Sequence, residues 1–146
     1  FLVKEIQISY KNKKIVPVRI EGSESVACFL KSIWDKKTIG ILEQFIVLYL
    51  DNSQKILGYK IISKGGITET SVDVRLIMGL ALKTFATSII LSHNHPSGRQ
   101  IPSDADFSIT SKIINAAKYF SITVLDHIIV TENSYYSFAE NRVLFN

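Results

Sequence analysis

At 146 residues, 47% of them hydrophobic, the chain is long enough to bury one substantial core and too short for two full-sized domains, so one domain over 1–146 is expected. Seventeen Lys and Arg against 13 Asp and Glu give a net charge of +4, a mild bias toward acidic partners that leaves both DNA and peptides open. No apolar run approaches the roughly 18 residues that cross a bilayer, the start FLVKEIQISY lacks the pattern of a secretory signal, and a single cysteine cannot form an internal disulfide, so a cytoplasmic address with no membrane partner is expected.

Residues 3–10 alternate apolar and polar, and 15–20 form a second extended run, so the two predict an N-terminal hairpin whose turn is the lysine cluster Lys11, Lys13 and Lys14. A solvated turn explains that cluster better than a nucleic-acid contact. Ser23 then offers an N-cap ahead of Val26, Ala27, Phe29, Leu30, Ile33 and Trp34, spaced as one apolar helix face ending near Asp35. Cys28 lies in this stretch and reads as a packing residue.

Residues 44–50 are almost continuously apolar. Asp51, Asn52 and Ser53 make a turn and residues 56–62 run back, which predicts a buried central hairpin. Gly65 and Gly66 break the second strand. Residues 71–85 carry Val72, Leu76, Met78, Leu80 and Leu82 and predict a well-buried helix, with Gly79 permitting close packing. A short strand at 88–91 feeds HNHPSG, followed by a helix at 103–119, a strand at 122–130 and a last extended segment at 135–138. Strands flanked by helices predict an α/β or α+β fold, a central sheet sandwiched by helices.

The chemistry concentrates after the 88–91 strand. Two of the three histidines, His93 and His95, stand two apart where a buried strand runs out, so both imidazoles can face one point. Pro96 stops the strand and Gly98 lets the backbone turn. Seven residues separate His95 from Ser103, and Asp106 follows three further on. Ser103-x-x-Asp106 has two readings: a helix-capping arrangement, or a helix start folded back to deliver Asp106 as a third ligand. Two imidazoles and one carboxylate suit Zn²⁺ with a fourth position left for water, although Fe²⁺, Mn²⁺ or Ni²⁺ accept the same donors. Hydrolysis would then need a carboxylate to take up the proton of the activated water. Glu43, leading into the apolar strand, is the first candidate and an exposed strand end is its plainer reading; Glu69 is the second candidate. His127, in VLDHIIV, reads as a structural histidine within the sheet, or as a group near the metal.

Glu43, His93-x-His95 and Ser103-x-x-Asp106 together are similar to the JAMM motif of JAB/MPN-domain metalloproteases. More narrowly, ILSHNHPSGRQIPSDAD, VLDHIIV and EQFIVLYLDNSQKILG resemble the RadC branch, over residues 38–142 and most densely over 91–106. The resemblance implies a JAB/MPN-like mixed sheet of cytidine-deaminase-like architecture, with a hairpin and helix at 1–37 preceding a metal-binding core at 38–142. It implies one zinc ion on His93, His95 and Asp106, Glu43 as general acid/base, and Ser103 stabilising a tetrahedral oxyanion; it also includes His127. Asn94 stands where many JAMM peptidases have Ser or Thr, as in the RadC branch. Val74 replaces a Pro frequent in that branch, and the helix-hairpin-helix region of longer RadC proteins is not evident.

Two functions follow as expectations. One is a zinc-dependent hydrolase acting on a peptide or isopeptide bond of a peptide or protein substrate. The other is a DNA-associated module of repair or mobile elements, with a structural or vestigial metal. The sequence leaves the oligomeric state open.

Overall fold

The computed structural model describes residues 3–5, 18–66 and 71–144. Most of the expected N-terminal hairpin, its lysine turn and Glu69 lie outside the described residues. The elements run α1 (Ser23–Ile33), β1 (Gln44–Leu50), β2 (Ile56–Lys64), α2 (Val74–Lys83), β3 (Ser88–Asn94), α3 (Asp104–Lys118), β4 (Thr123–Val130) and β5 (Tyr135–Ser137). The sheet order is β2-β1-β3-β4-β5. Among the described residues only β3 and β4 pair in parallel, and α3 makes the crossover between them. The expected mixed sheet with helices on both sides is what forms.

β1 is buried along its whole length because both faces of the sheet are covered. Phe45, Val47 and Tyr49 join the apolar cluster that includes Ile77 and Met78 of α2 and Ile109 and Ile113 of α3. Ile46, Leu48 and Leu50 point the other way, into a cluster with Val26, Ala27 and Leu30 of α1. Burying each of these aliphatic or aromatic side chains contributes roughly 1.5–3 kcal/mol, so β1 is the thermodynamic keel of the fold.

Several expectations need correction. The hairpin is buried on one strand only: β2 is an edge strand and is partly exposed along its length. α1 begins one residue earlier at its cap, Gly22, and the Ser23 hydroxyl instead reaches across to the Asp126 carboxylate at 2.9 Å. Cys28 is exposed, one position off the apolar stripe. α2 is shorter than expected and capped by Asp73, whose side chain accepts the Arg75 and Leu76 amides. Its inward residues are Ile77, Met78 and Ala81, while Leu76 and Leu82 lie outward. The apolar composition on all sides of this helix concealed its true phase. Gly79 faces open space, so it does not mediate close packing. Val74 takes the first helical position of α2, where a proline would also fit.

One irregularity matters for the site. β4 shifts register against β3 between the partners of Ile89 and Ile90, so Val124 pairs with Ile89 while Asp126 pairs with Ile90. The extra residue, Leu125, resets the inside–outside phase of the strand. Asp126 thereby turns toward α1 and His127 toward α3.

Candidate metal centre

His93 is the penultimate residue of β3, and its ring has no exposed surface. His95 follows just beyond the strand, with its amide donating to the Val130 carbonyl at 3.1 Å. The chain then turns: the Gly98 amide donates to the His95 carbonyl at 3.0 Å, and Gly98 adopts φ 80°, a left-handed value that suits glycine. The turn brings the Arg99 carbonyl to 2.7 Å from His95 Nδ1. A carbonyl only accepts, so Nδ1 carries the proton and, in the neutral ring, Nε2 presents a lone pair.

Asp106 arrives from the other side, at the third position of α3. Ser103 caps that helix: its hydroxyl accepts the Asp106 amide at 3.2 Å, and its own amide donates to Asp106 Oδ2 at 2.7 Å. The capping box forms, and the same geometry aims the carboxylate at the two imidazoles. Asp106 Oδ1 lies 3.1 Å from His93 Nε2 and Oδ2 lies 3.2 Å from His95 Nε2. The two Nε2 atoms are 2.9 Å apart. Donors on a tetrahedral zinc ion stand about 3.3 Å from one another, given bonds of about 2.0–2.1 Å, and these separations, each imidazole facing a different oxygen of Asp106, are of that order.

Glu43 completes the surroundings. Its carboxylate and the two imidazoles place ligand atoms within 4.8 Å of one another, a group able to hold a metal ion. Two contacts fix its backbone. The Glu43 carbonyl accepts the Gly65 amide at 2.8 Å, and the next amide, Gln44, donates to Asn94 Oδ1 at 2.7 Å. Asn94 Nδ2 also donates to the carbonyls of Ile39 at 2.7 Å and Leu42 at 2.8 Å. The asparagine between the histidines thus ties the loop that carries Glu43 to the strand that carries His93. In the sequence Asn94 stands out only as a residue shared with the RadC branch where many JAMM peptidases have Ser or Thr. Its full burial among backbone groups is a tertiary fact with no local signal.

The electrostatics follow from these contacts. Burial pushes the Asp106 carboxyl up, but the His93 and His95 rings beside it, where they take up a proton on Nε2, together with the Ser103 amide hold it well below the usual carboxylate range. The bond to Asp106 raises the affinity of His95 for a proton; partial burial opposes this, and the Arg99 carbonyl and the Glu43 charge add to it. The site collects negative potential and favours a cation.

Behind His93 lies His127, fully buried, with Nε2 2.7 Å from His93 Nδ1. His127 hydrogen-bonds within the sheet, to His93 of β3, and also across to Thr110 of α3, so the in-sheet reading holds and the same bond places the ring beside His93. Burial, and secondarily the neighbouring His93, hold it well below the ordinary histidine value, so it is neutral. Phe138 stacks on its ring with centroids 4.7 Å apart. A cleft of about 260 Å³ opens beside His95, lined by Gly40, Pro96, Gln100, Thr131 and Ser134 among others. A larger groove of about 720 Å³, lined by Cys28, Lys31, Trp34 and Lys36, contains none of the histidines.

A family model described as "RadC-like JAB domain" matches residues 20–143. Among curated proteins, the chain is 50% identical to a UPF0758 protein of Flavobacterium johnsoniae over 101 residues, covering 69% of this chain and 44% of that one. It is 43% identical over 103 residues to a UPF0758 protein of Porphyromonas gingivalis, covering 70% and 45%, and 40% identical over 124 residues to one of Pasteurella multocida, covering 85% and 54%. The chain spans about half the length of these relatives.

Proposed function

This chain belongs to the RadC-like JAB domain family, and we propose, starting from that membership, that it is a metal-dependent hydrolase that cleaves a peptide or isopeptide bond. The reading rests on one observation: Nε2 of His93, Nε2 of His95 and the Asp106 carboxylate lie 2.9–3.2 Å from one another with Glu43 beside them. His93, His95 and Asp106 would hold one divalent ion, with zinc suited to the donor set. Such an ion supplies Lewis acidity, which acidifies water and polarises a carbonyl.

The remaining roles fall to the chain's own groups. Glu43 takes the proton of the attacking water and returns it to the departing amine, since it is grouped with both imidazoles and, unlike Asp106, is not held in the capping box. Ser103 uses its oxygen to accept the Asp106 amide, which leaves its hydroxyl proton able to donate to an oxyanion. The cleft beside His95 gives the scissile segment its approach. Residues 20–143 form the working unit, because α1 shares an apolar cluster with β1 and β4.

The test pairs metal analysis with turnover. Purified protein should carry about one divalent transition ion per chain, lose it on His93→Ala or Asp106→Ala, and keep it on Glu43→Gln while amine release from peptide or isopeptide substrates stops. Salt-sensitive DNA binding that survives Glu43→Gln, with no amine release from the parent, would support the DNA-associated function instead.

A further inference from the structure

Thr110 and His127 lie outside the ion-binding triangle, yet their hydrogen bonds have a forced direction. Thr110 Oγ1 lies 2.5 Å from the Asp106 carbonyl. A carbonyl offers no proton, so the threonine donates its only one there. Toward His127 Nδ1, at 2.6 Å, Thr110 must then accept. Nδ1 therefore carries the proton of the His127 ring, and Nε2 is left as an acceptor. At 2.7 Å from that acceptor stands His93 Nδ1, which must donate. The lone pair of His93 is consequently on Nε2, the atom that faces Asp106 and His95.

We infer that Thr110 and His127 are positioning residues, a proton-ordered relay that starts at the Asp106 backbone and locks His93 in the Nδ1–H tautomer, so that the site presents two imidazole lone pairs and a carboxylate to a cation. The inference rests on the metal-site reading above. Its structural logic is a closed ring: Asp106 faces His93 through its carboxylate and sets the tautomer of His93 through its carbonyl. With His95 set independently by the Arg99 carbonyl, three acceptors converge at 2.9–3.2 Å with no proton of their own between them. With both rings neutral, that arrangement is repulsive unless a cation sits among the acceptors. Both relay residues are buried, Thr110 at 3% exposure and His127 at 0%, so water does not substitute for either link. Outer partners of this kind orient ligating histidines and raise metal affinity by roughly 10–100-fold.

Thr110→Val removes the hydroxyl at almost constant shape, Thr110→Ser keeps it, and His127→Phe removes the relay ring. Zinc affinity, measured by competition with a chelating dye, should fall about 10–100-fold for Thr110→Val and His127→Phe and return to within about threefold of the parent for Thr110→Ser. Ring ¹⁵N shifts of the metal-free parent should report His93 as Nδ1–H, with mixed tautomers in Thr110→Val. A metal-free parent with His93 as Nε2–H, or zinc affinity unchanged within about twofold in a folded Thr110→Val, overturns the relay. The metal-free tautomer decides this inference even if the parent proves to bind no ion, an outcome that would remove the hydrolase reading by itself. If His127→Phe fails to fold, the near-isosteric threonine pair carries the same test.

Discussion

Asp106 Oδ2 sits 2.7 Å from the Ser103 amide nitrogen and 3.2 Å from His95 Nε2. One oxygen atom therefore takes part in the helix cap and also faces the imidazole of His95. A cap is normally valued for stability alone; here its geometry also sets where the carboxylate points.

Ser103→Ala separates these contributions. Loss of the hydroxyl removes the acceptor for the Asp106 amide and should cost about 1 kcal/mol of folding stability, read from chemical denaturation. The Ser103 amide remains, so the metal stoichiometry should not change. The turnover number should fall by about 10²–10³ with KM little altered, because an oxyanion donor acts mainly in the transition state. A variant with unchanged turnover would confine Ser103 to capping.

Glu43→Gln keeps size and hydrogen bonding but cannot take up a proton at neutral pH. We predict a loss of about 10²–10⁴ in turnover with metal content intact, checked by assay and metal analysis on one preparation. Loss of the metal in this variant would make Glu43 a ligand in place of a base.

Asn94→Ala should be costly. It strands the buried Gln44 amide and frees the carbonyls of Ile39 and Leu42, for a destabilisation of about 3 kcal/mol in urea unfolding. Asn94→Asp should cost at least as much, since a carboxylate cannot donate to either carbonyl. In both variants turnover should drop more than metal affinity, because the loop that moves carries Glu43 while His93 and His95 stay on β3 and its extension.

Asp126 gives a pH prediction. Burial pushes its carboxyl above the ordinary value of 3.8, against hydrogen bonds from Ser137, Ala139, Ser23 and the His127 amide. A folded-state value raised above the unfolded one contributes stability that is whole below 3.8 and is lost as pH rises through the folded value. Asp126→Asn lacks this loss, and the Ser23 and Ser137 hydroxyls can turn to accept from its amide. Its stability relative to the parent should therefore rise as pH increases from about 3.8 through the raised folded-state value, as read by urea unfolding. A difference that stays constant with pH would contradict the assignment.

The sequence made the convergent donors legible because their logic is local. His93 and His95 share a strand face by the two-residue repeat, and Ser103-x-x-Asp106 announces a helix start. The β1 run and the α3 limits were equally readable, since periodicity and capping chemistry agree there. What stayed hidden depended on tertiary contacts. His127 reaches His93 only because the register shift at Leu125 turns it to the α3 side, and a simple alternation counted from Val124 puts it on the wrong face. Asn94 could not be read as a clamp, because its partners lie at 39–44, far along the chain. The exposure of Cys28 and Leu82 was missed for a different reason: helices rich in apolar residues on every side do not declare their phase.

X-ray absorption at the zinc edge, on protein loaded with one equivalent of zinc, tests the core of this account most directly. The expected shell is two imidazole nitrogens and two light-atom oxygens at about 2.0–2.1 Å, one from Asp106 and one from water, with an imidazole lost in His93→Ala. Intact protein that retains no zinc, a sulfur scatterer at about 2.3 Å, or a shell filled by four protein donors would contradict it.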